Sequence, residues 1–476
     1  MTESAGRYNI AIVGSGPGGY VAAIRACQLG AKVAIIEKDR IGGTCLNIGC
    51  IPTKALVTSA EVLETARQAK TFGVEVGEVG FNFAAIMERK QKVVNQMVSG
   101  VAQLLKANKV DIVEGTAKFA TPNSLIVESG SGKREVQADN IIVATGSVSA
   151  RPPLPGLDLP GVITSTEAIA LEKVPERLVI IGGGYIGMEM ACLYQSLGSK
   201  ITIVEMLPSI LTNTDEEIAR RFHQLMRQRG VEINVNSPVK EIRQGENGQL
   251  SVVYTTGDGE KAVAGDKVLV ATGRVPYTEG LGLEQLGVSM NRRAVVANER
   301  MQTNVPGVWA IGDATGQIML AHVAMYQGEV AVENILGHSR KADYRAVPGV
   351  IFTMPEIGSV GLTETQTKEQ GIDVQVSKFP FTANGRATTL NETAGLVKMV
   401  CERSTGSILG VHIMGPRATD LIAEAVLAIQ MEALAEDLVL TIHGHPTLPE
   451  ALHEAAMAQF EGPIHFYAPT RKPVAR

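Results

Sequence analysis

The chain has few cysteines, few aromatic residues and no long apolar run. Its 476 residues contain 5 cysteines, 1 tryptophan and 4% aromatic residues in total. So few cysteines in a chain of this length exclude a scaffold of structural disulfides and favour a reducing compartment, which we expect to be the cytoplasm. No apolar segment is long enough to span a membrane. The first one, residues 8–13, lacks the basic leader and cleavage site of a signal peptide.

Charge and composition exclude further classes of protein. The formal net charge is −5 at pH 7 and no polybasic run occurs, so we expect no nucleic-acid partner. We also expect no metal site. The 50 glycines and 45% hydrophobic residues are typical of an enzyme that buries several cores, and the length predicts about three to four domains.

Two of the five cysteines, Cys45 and Cys50, lie close together in the run GGTCLNIGCIPTK. On an ideal helix, residues five apart are separated by roughly 7.5 Å of rise, whereas a disulfide needs α-carbons about 4.4–6.8 Å apart. We therefore expect a bent backbone, with Gly43 and Gly49 providing the freedom. In a reducing compartment the pair is predicted to be redox-active, although a structural crosslink and two unpaired core cysteines remain alternatives for this motif alone. The other three cysteines are expected to be small buried apolar residues: Cys27, Cys192 and Cys401.

The two halves of the chain repeat one pattern. In each copy an apolar strand leads into a glycine loop, and a second apolar strand ends at a glutamate 23 residues after the first glycine (37 minus 14, and 205 minus 182). The residues concerned are Gly14, Gly16, Gly19 and Glu37 in the first copy, and Gly182, Gly184, Gly187 and Glu205 in the second.

A third element of the repeat is an apolar strand followed by Ala-Thr-Gly. It ends at Gly146 in the first copy and at Gly273 in the second. The first copy is longer between its glycine loop and this strand, because it holds the cysteine segment and a long helical stretch. One nucleotide-binding unit has thus acquired the redox element.

The glycine loops predict two dinucleotide sites. The first glycine allows the tight turn, the second lets a pyrophosphate approach the backbone, and the third lets the helix pack on the strand. A single such loop is as often structural, but two copies with the same acid spacing indicate nucleotide binding. At the second site, Glu205 favours NAD over NADP, because a carboxylate repels a 2′-phosphate and no arginine follows it directly.

Two further segments carry candidate polar groups. A strand ends in Gly312-Asp313, which exposes a carboxylate at its carboxyl edge. A second interpretation is that Asp313 caps a helix that begins at Ala314, and the two are compatible. Near the end of the chain, the segment from His443 to Glu450 offers a histidine as general base and a glutamate to orient it. A capping or core histidine is the alternative there. From Pro348 onward the pattern predicts an α+β domain without a nucleotide loop.

Together these motifs resemble the FAD-dependent pyridine-nucleotide disulfide oxidoreductases, and within them the dihydrolipoamide dehydrogenases. The resemblance rests on GGTCLNIGCIPTK, the two glycine loops, Ala-Thr-Gly-Arg, the strand ending in Gly-Asp and the His-Pro-Thr with its downstream glutamate. It covers nearly the whole chain. It implies an α/β fold with two Rossmann-like dinucleotide-binding domains, for FAD and NAD, and a C-terminal α+β dimerisation domain.

The same resemblance implies domain bounds and an activity. It places an FAD-binding domain with the redox disulfide at residues 1–150, an NAD-binding domain at 151–275, a central domain completing the FAD site at 276–347, and an interface domain at 348–476. The implied reaction is oxidation of protein-bound dihydrolipoamide to lipoamide through the disulfide and FAD, with reduction of NAD. The implied partners are a second copy of the chain and the lipoyl domains of 2-oxoacid dehydrogenase complexes or the lipoylated glycine-cleavage carrier protein.

The resemblance also implies the role of each site residue. Cys45 and Cys50 form the disulfide, while His445, oriented by Glu450, is the base that reaches the disulfide of the other subunit. Lys54 lies against the flavin. The implied FAD-binding residues are Gly14, Gly16, Gly19, Glu37, Lys54, Gly115, Gly146, Asp313 and Ala321, and the implied NAD-binding residues are Gly182, Gly184, Ile186, Gly187, Glu189, Glu205 and Gly273.

Within the resemblance, Asp313 binds the ribitol and Glu189 pairs with Lys54. Three positions depart from the family pattern and affect loop geometry: Tyr277, Gly444 and Pro449.

Three other functions are alternatives to the oxidation of dihydrolipoamide. A glutathione-type reductase would usually have arginines after the second glycine loop, and a mercuric reductase typically has a C-terminal cysteine pair; both features are missing from the sequence. A flavin-folded scaffold without turnover would not need both cysteines, the lysine and the histidine.

Overall fold

The protein is described here by a computed structural model that covers residues 7–245 and 248–467. Strands and helices alternate through much of the chain. The strands are β1 (Tyr8–Val13), β2 (Val33–Glu37), β3 (Asp111–Glu114), β4 (Thr116–Thr121), β5 (Ser124–Ser129), β6 (Gly132–Val143), β7 (Ser147–Ser149), β8 (Val162–Ile163), β9 (Arg177–Ile181), β10 (Lys200–Val204), β11 (Glu232–Asn234), β12 (Val239–Gln244), β13 (Leu250–Thr256), β14 (Gly259–Gly265), β15 (Lys267–Val270), β16 (Arg274–Pro276), β17 (Met290–Asn291), β18 (Ala294–Val295), β19 (Val308–Ala310), β20 (Gly349–Ile351), β21 (Glu356–Gly361), β22 (Val374–Pro380), β23 (Leu396–Glu402) and β24 (Ile408–Gly415).

The helices fall between these strands and at the end of the chain. Amphipathic and alanine-rich stretches form them, and no described helix combines the length and apolar character needed to cross a membrane. The helices are α1 (Pro17–Gln28), α2 (Gly43–Ile48), α3 (Cys50–Arg67), α4 (Phe83–Ala107), α5 (Ser165–Ala168), α6 (Tyr185–Ser196), α7 (Glu216–Gln228), α8 (Ala321–Ile335), α9 (Glu364–Glu369), α10 (Gly385–Leu390), α11 (Ala418–Gln430), α12 (Ala435–Leu440) and α13 (Glu450–Met457).

The chain forms two compact units, and each is discontinuous in sequence. The first unit contains the chain up to Pro152, Thr164–Lys173 and Thr272–Asp343. The second contains Pro153–Ile163, Val174–Ala271 and the chain from Tyr344 onward. The family resemblance predicts four domains where the structure separates two units, so the four domain bounds stay a prediction.

The first unit is built on a sheet whose parallel part has the strand order β3-β2-β1-β6-β19. Strand β6 is long: its first half pairs antiparallel with β5, and its second half pairs parallel with β1. Along β1 the side chains alternate between two cores. Ile10 and Ile12 pack with helices on one face, and Ala11 and Val13 pack with residues of β4 and β5 on the other. Burial of both faces explains why β1 is almost continuously apolar.

The second unit repeats this arrangement. Its parallel sheet has the order β11-β10-β9-β15-β8, so the first strand of the repeat again lies between the strand that ends at the glutamate and the third repeated element. The apolar strands predicted before each glycine loop and before each glutamate are confirmed as β1, β2, β9 and β10. The α/β fold with two dinucleotide-binding sheets is confirmed as well.

The second unit also contains the predicted α+β portion. Five antiparallel strands are ordered β20-β21-β24-β23-β22, and α11 and α13 cover this sheet with an apolar core. The α+β pattern predicted from Pro348 onward is confirmed.

A buried lysine joins several elements of the second unit. Lys398 on β23 is 2% exposed, and its Nζ lies 2.8 Å from Asp215 Oδ2 and 3.0 Å from Glu364 Oε2. Burial alone would lower the pKa of Lys398, but Asp215 and Glu364 outweigh it and raise the pKa. The charge is therefore retained inside the unit because two carboxylates neutralise it.

We expect Lys398→Met to destabilise the protein by about 3–5 kcal/mol, because removing one partner leaves a buried, uncompensated carboxylate. The matched control is Lys378→Met. Lys378 faces Lys398 across the β22–β23 pair but is about half exposed and pairs with Glu217, so its loss should cost about 1 kcal/mol or less. Denaturant unfolding checks both variants, and equal losses would contradict the assignment. Since folding raises the pKa of Lys398, its contribution is fully present below the lysine's unfolded pKa and disappears as pH rises through the raised value.

Candidate active site

The first glycine loop joins β1 to α1 with almost no space between backbone segments. Gly14 has φ +104°, and a Cβ added at Gly19 would lie 1.9 Å from the Gly14 carbonyl oxygen. At Gly16, by contrast, an added Cβ meets no atom within 4 Å. Gly16 is also the N-cap residue of α1, and no side chain caps the helix there. The first helical N–H groups are thus open to an anionic ligand such as a pyrophosphate.

The second loop, between β9 and α6, has the same geometry. Gly182 has φ +107°, and a Cβ at Gly187 would lie 2.2 Å from the Gly182 carbonyl oxygen. Gly184 is again the open N-cap residue. The order of crowded and open glycines therefore agrees with the mechanical role that the sequence pattern assigns to each one.

The two glutamates of the repeat are held in the same way. Glu37 Oε2 accepts the Ser15 N–H at 2.9 Å and the Ser15 hydroxyl at 2.5 Å, and its Oε1 accepts the Asp39 N–H at 3.0 Å. Glu205 Oε2 accepts the Gly183 N–H at 2.6 Å, and its Oε1 accepts the Leu207 N–H at 2.7 Å. Because these bonds fix both oxygens of each carboxylate, the remaining lone pairs have a defined direction.

The remaining predicted FAD residues lie in the first unit. The Gly115 N–H donates to the Glu37 carbonyl oxygen at 2.8 Å, which places Gly115 beside the predicted ribose-binding residue. Gly146 has φ +71°, and Ala321 is the first residue of α8. The Thr145 hydroxyl, which the sequence did not single out, is buried and has no partner among the described residues. The Thr145 α-carbon would lie 3.2 Å from a Cβ added at Gly14, so this residue adjoins the first loop.

Asp313 lies directly after β19, in a short 3₁₀ turn (Gly312–Thr315) whose N-cap residue is Ile311. The alternative that Asp313 is a helix N-cap is therefore wrong. Its Oδ2 instead accepts a hydrogen bond from the Ser147 hydroxyl at 2.5 Å. Sequence reasoning did not identify Ser147, although it directly follows the repeated Ala-Thr-Gly.

The cysteine segment is bent as expected. Helix α2 ends before Gly49, and α3 begins at Cys50. Cys45 and Cys50 are not joined by a disulfide in this structure. The neighbouring Cys50 and burial raise the pKa of the Cys45 thiol, whereas Lys54 acts in the opposite direction. The two cysteines thus act on each other, and the positive charge that can stabilise a thiolate lies one helical turn beyond Cys50.

The cysteine segment also contacts the first glycine loop. A Cβ at Gly43 would lie 2.8 Å from the Gly16 α-carbon, and the Gly42 N–H donates to Ser15, to its carbonyl at 3.1 Å and to its hydroxyl at 3.2 Å. Ser15 is a second residue that sequence reasoning missed. Its position between the first two glycines of the loop was the available signal.

The structure distinguishes the two candidate histidines. The side chain of His443 is 8% exposed, and its ring nitrogens bond Glu424 at 2.7 Å and the Thr441 carbonyl at 2.9 Å. The side chain of His445 is 78% exposed, and its Nδ1 lies 2.8 Å from Glu450 Oε1. His445 therefore presents its Nε2 to the surroundings, as a general base must.

Glu450 is itself fixed and charged. It is the first residue of α13, and its Oε2 accepts the Thr447 N–H at 2.7 Å. Partial burial alone would raise the pKa of Glu450, but the bonds from Thr447 and His445 outweigh it and lower the pKa. An ionised Glu450 accepts from His445, so Nδ1 carries the proton and Nε2 has the free lone pair.

The other predicted NAD residues are divided between the units. Ile186 and Glu189 lie on α6, and Glu189 is buried with its Oε1 accepting the Phe352 N–H at 3.0 Å. Gly273 has φ +111° and precedes β16 in the first unit. The pairing of Glu189 with Lys54 stays a prediction. Within the described ranges, no group of three or more His, Cys, Asp or Glu side chains could hold a metal ion.

The three departures from the family pattern have defined surroundings. The Tyr277 N–H donates to the Gly146 carbonyl at 2.9 Å, and Lys38 Nζ lies 3.8 Å from the centre of the Tyr277 ring. Gly444 accepts the Thr447 hydroxyl at 2.6 Å, and Pro449 is the N-cap residue of α13. None of them displaces a predicted reacting group.

Comparison with known proteins agrees with this geometry. Residues 8–328 match the family described as pyridine nucleotide-disulphide oxidoreductase, and residues 347–456 match the dimerisation domain of the same family. The chain belongs to this family. It is accordingly a homodimeric oxidoreductase, and its cofactors are FAD and NAD.

Named relatives cover almost the whole chain. Dihydrolipoyl dehydrogenase of Geobacillus stearothermophilus is 45% identical over 95% of this chain and 96% of its own length. The mitochondrial dihydrolipoyl dehydrogenase of Pisum sativum is 43% identical over 96% of this chain and 92% of its own length. Among solved structures, the HOCl-induced flavoprotein disulfide reductase RclA of Escherichia coli is 32% identical, with a TM-score of 0.85 over 94% of this chain and 99% of that one.

The residues of both loops fit these cofactors. Each loop offers an open glycine at a helix N-terminus, where a Cβ would occupy the space that a pyrophosphate needs, and a fixed carboxylate for a ribose. The unpartnered Thr145 hydroxyl adds a polar group at the first loop.

We expect Gly184→Ala to leave the fold and the FAD content unchanged and to raise the Kd for NADH about 10-fold or more. Its Cβ fits the free protein but takes the place of the nucleotide phosphates. The matched variant Gly187→Ala should instead destabilise the second unit, by about 1–3 kcal/mol, because its Cβ overlaps the Gly182 carbonyl. Thermal unfolding and NADH titration separate the two effects; wild-type NADH binding by Gly184→Ala would contradict this account of the loop.

Proposed function

We propose that this protein is the dihydrolipoyl dehydrogenase component of 2-oxoacid dehydrogenase complexes, of glycine-cleavage complexes, or of both. It oxidises protein-bound dihydrolipoamide to lipoamide and reduces NAD⁺ to NADH. The observation that carries the proposal is the cysteine pair Cys45 and Cys50, whose segment contacts the first glycine loop, in a chain 45% identical to a dihydrolipoyl dehydrogenase. The exposed His445 held by Glu450 supplies the base that this reaction needs.

His445 begins the reaction by taking a proton from one thiol of dihydrolipoamide at its Nε2. Glu450 stabilises the imidazolium that results, since its carboxylate is held by Thr447 and lies 2.8 Å from Nδ1. The substrate thiolate then attacks Cys45 Sγ of the oxidised pair. This forms a substrate–Cys45 disulfide, and Cys50 leaves as a thiolate.

The second half of the exchange releases the product. The other substrate thiol releases its proton to solvent and attacks the substrate sulfur bound to Cys45, which closes the lipoyl disulfide. Cys45 leaves and takes the proton held by His445, so the enzyme retains a Cys45 thiol and a Cys50 thiolate. FAD, when bound, carries the electron pair of the dithiol onward to NAD⁺.

The cofactor-binding roles belong to the same proposal. Glu37 binds the adenosine ribose of FAD, Asp313 binds its ribitol, and Lys54 lies against the flavin ring. Glu205 binds the ribose of NAD, and Glu189 pairs with Lys54 near the nicotinamide. The remaining predicted glycines line these two sites together with Ile186 and Ala321. The four predicted domains are the FAD-binding, NAD-binding, central and interface domains.

The partners are a second copy of the chain and a lipoylated protein. Exposed apolar side chains on α11 and around α12, namely Leu427, Met431, Leu440 and Ile442, offer a surface for the second subunit. We propose that His445 serves the disulfide of that subunit. Lipoyl domains or the lipoylated glycine-cleavage carrier protein deliver the substrate. The low cysteine content favours a reducing compartment, which we propose to be the cytoplasm.

The first test is oxidation of dihydrolipoamide with NAD⁺, measured as NADH formed. We expect Cys45→Ser to abolish turnover and His445→Ala to lower it about 10²- to 10⁴-fold, because general-base assistance is lost. When the two inactive variants are mixed and exchange subunits, activity should return, since one of the two composite sites in each heterodimer contains both wild-type groups.

Two controls accompany this experiment. FAD content should stay at the wild-type level in both variants, and His443→Ala should retain far more activity than His445→Ala because both ring nitrogens of His443 have internal partners. No recovery after verified subunit exchange would show that His445 acts within its own chain or is not the base. Wild-type activity of Cys45→Ser would overturn the disulfide assignment and the proposed reaction with it.

The second test concerns the choice between NAD and NADP. The carboxylate of Glu205 should disfavour a 2′-phosphate by a few kcal/mol, so we expect kcat/KM to be at least about 100-fold higher with NAD. Glu205→Ala should reduce this preference, whereas the repeat-equivalent variant Glu37→Ala should weaken FAD binding and leave the preference intact. Comparable efficiency of wild-type protein with the two nucleotides would refute the role of Glu205.

A further inference from the structure

A directed chain of hydrogen bonds ends at Asp313. The Ser147 hydroxyl donates to Asp313 Oδ2 at 2.5 Å. Arg274 in turn donates twice to Ser147: its Nε lies 2.7 Å from the Ser147 hydroxyl oxygen, and its Nη2 lies 2.7 Å from the Ser147 carbonyl oxygen. Arg274 therefore donates two hydrogen bonds to Ser147, and Ser147 donates one to the Asp313 carboxylate.

The direction of the chain is fixed by the chemistry of its members. A guanidinium has only donors, so the Ser147 oxygen must accept from Arg274. The single hydroxyl proton is then directed to Asp313, which accepts it. Both bonds of this relay involve a charged partner, which makes them stronger than bonds between neutral groups. The bond to Oδ2 fixes the plane of the carboxylate and leaves Oδ1 for a ligand.

The backbone brings these residues together. Ser147 begins β7 and Arg274 begins β16, and the two strands pair antiparallel with Val148 opposite Val275. Ser147 is buried. Both residues directly follow an Ala-Thr-Gly, so they occupy equivalent positions in the two copies of the repeat. In each copy, the third repeated element is thus followed by a residue that bonds its counterpart.

We propose that Ser147 and Arg274 are positioning residues of the FAD site, which hold the Asp313 carboxylate in the orientation that accepts a ribityl hydroxyl of FAD. This inference rests on the proposed role of Asp313 in binding FAD. Ser147 and Arg274 do not touch the reacting groups. They act through Asp313, by removing the rotational freedom that its carboxylate would otherwise lose on binding FAD.

The test is the Kd for FAD, measured by titrating the FAD-free protein with FAD. We expect Ser147→Ala to raise the Kd about 10-fold or more, since a hydrogen bond to a charged group is lost. Ser147→Thr keeps the hydroxyl and should remain near the wild-type value. The matched control is Ser149→Ala, on the same strand and opposite Arg274 in register, which should leave the Kd unchanged. Arg274→Gln should weaken binding in the same direction as Ser147→Ala.

A double-mutant cycle separates positioning from a general structural role. If Ser147 acts through Asp313, Ser147→Ala should have little further effect on the FAD Kd in an Asp313→Ala background. Fully multiplicative effects, or an unchanged Kd for Ser147→Ala alone, would overturn the positioning role while the FAD assignment of Asp313 stands. An unchanged Kd for Asp313→Ala alone would instead overturn that assignment. Thermal unfolding of the FAD-free variants shows whether any change in Kd arises from misfolding.

Discussion

Both nucleotide loops depend on one steric constraint, the near-contact of their own backbone. The third glycine of each loop lies so close to the carbonyl of the first that even a methyl group would overlap it. This approach lets the helix begin directly after the strand, with the open middle glycine at its N-cap position. The fixed glutamate at the end of the neighbouring strand accepts a hydrogen bond from the N–H of the residue before that glycine. A pyrophosphate site and a ribose site follow from one backbone geometry.

The two glycine loops differ at the residue that follows their first glycine. The first has Ser15 where the second has Gly183, and the serine hydroxyl bonds both Glu37 and the start of the cysteine segment. The redox pair is thereby held against the FAD loop. In the second copy a Cβ at position 183 would meet Ile210 at 2.7 Å, so no equivalent hydroxyl fits. The cysteine segment is present in the first copy of the repeat, and there the glycine loop forms a hydrogen bond with it.

Charge is distributed according to burial. Inside the second unit, Lys398 is surrounded by carboxylates because an unpaired buried charge is costly. At the candidate base the opposite holds: Glu450 is fixed by a backbone N–H and by His445, while the imidazole itself remains exposed. The internal pair contributes to stability, and the exposed pair leaves one nitrogen ready for proton transfer.

The sequence by itself determined the elements that local rules specify. Glycine spacing, continuous apolar strands and the acid 23 residues after the first glycine predicted both sheets, because these patterns reflect backbone geometry within a single strand-turn-helix unit. It also pointed to Cys45, Cys50 and the His445 segment. The choice between His443 and His445 on physical grounds needed the fold, since it depends on Glu424, Thr441 and Glu450.

The serine and arginine beside Asp313 were likewise visible only in three dimensions. Arg274 and Asp313 lie 127 and 166 residues after Ser147 in the chain, and no local pattern predicts that the three residues meet. The pairing of β7 with β16 and the position of β19 bring them together. Hydrogen bonds across such separations depend on how sheets assemble, and the assembly of sheets is decided by the burial of whole faces instead of by spacing along the chain.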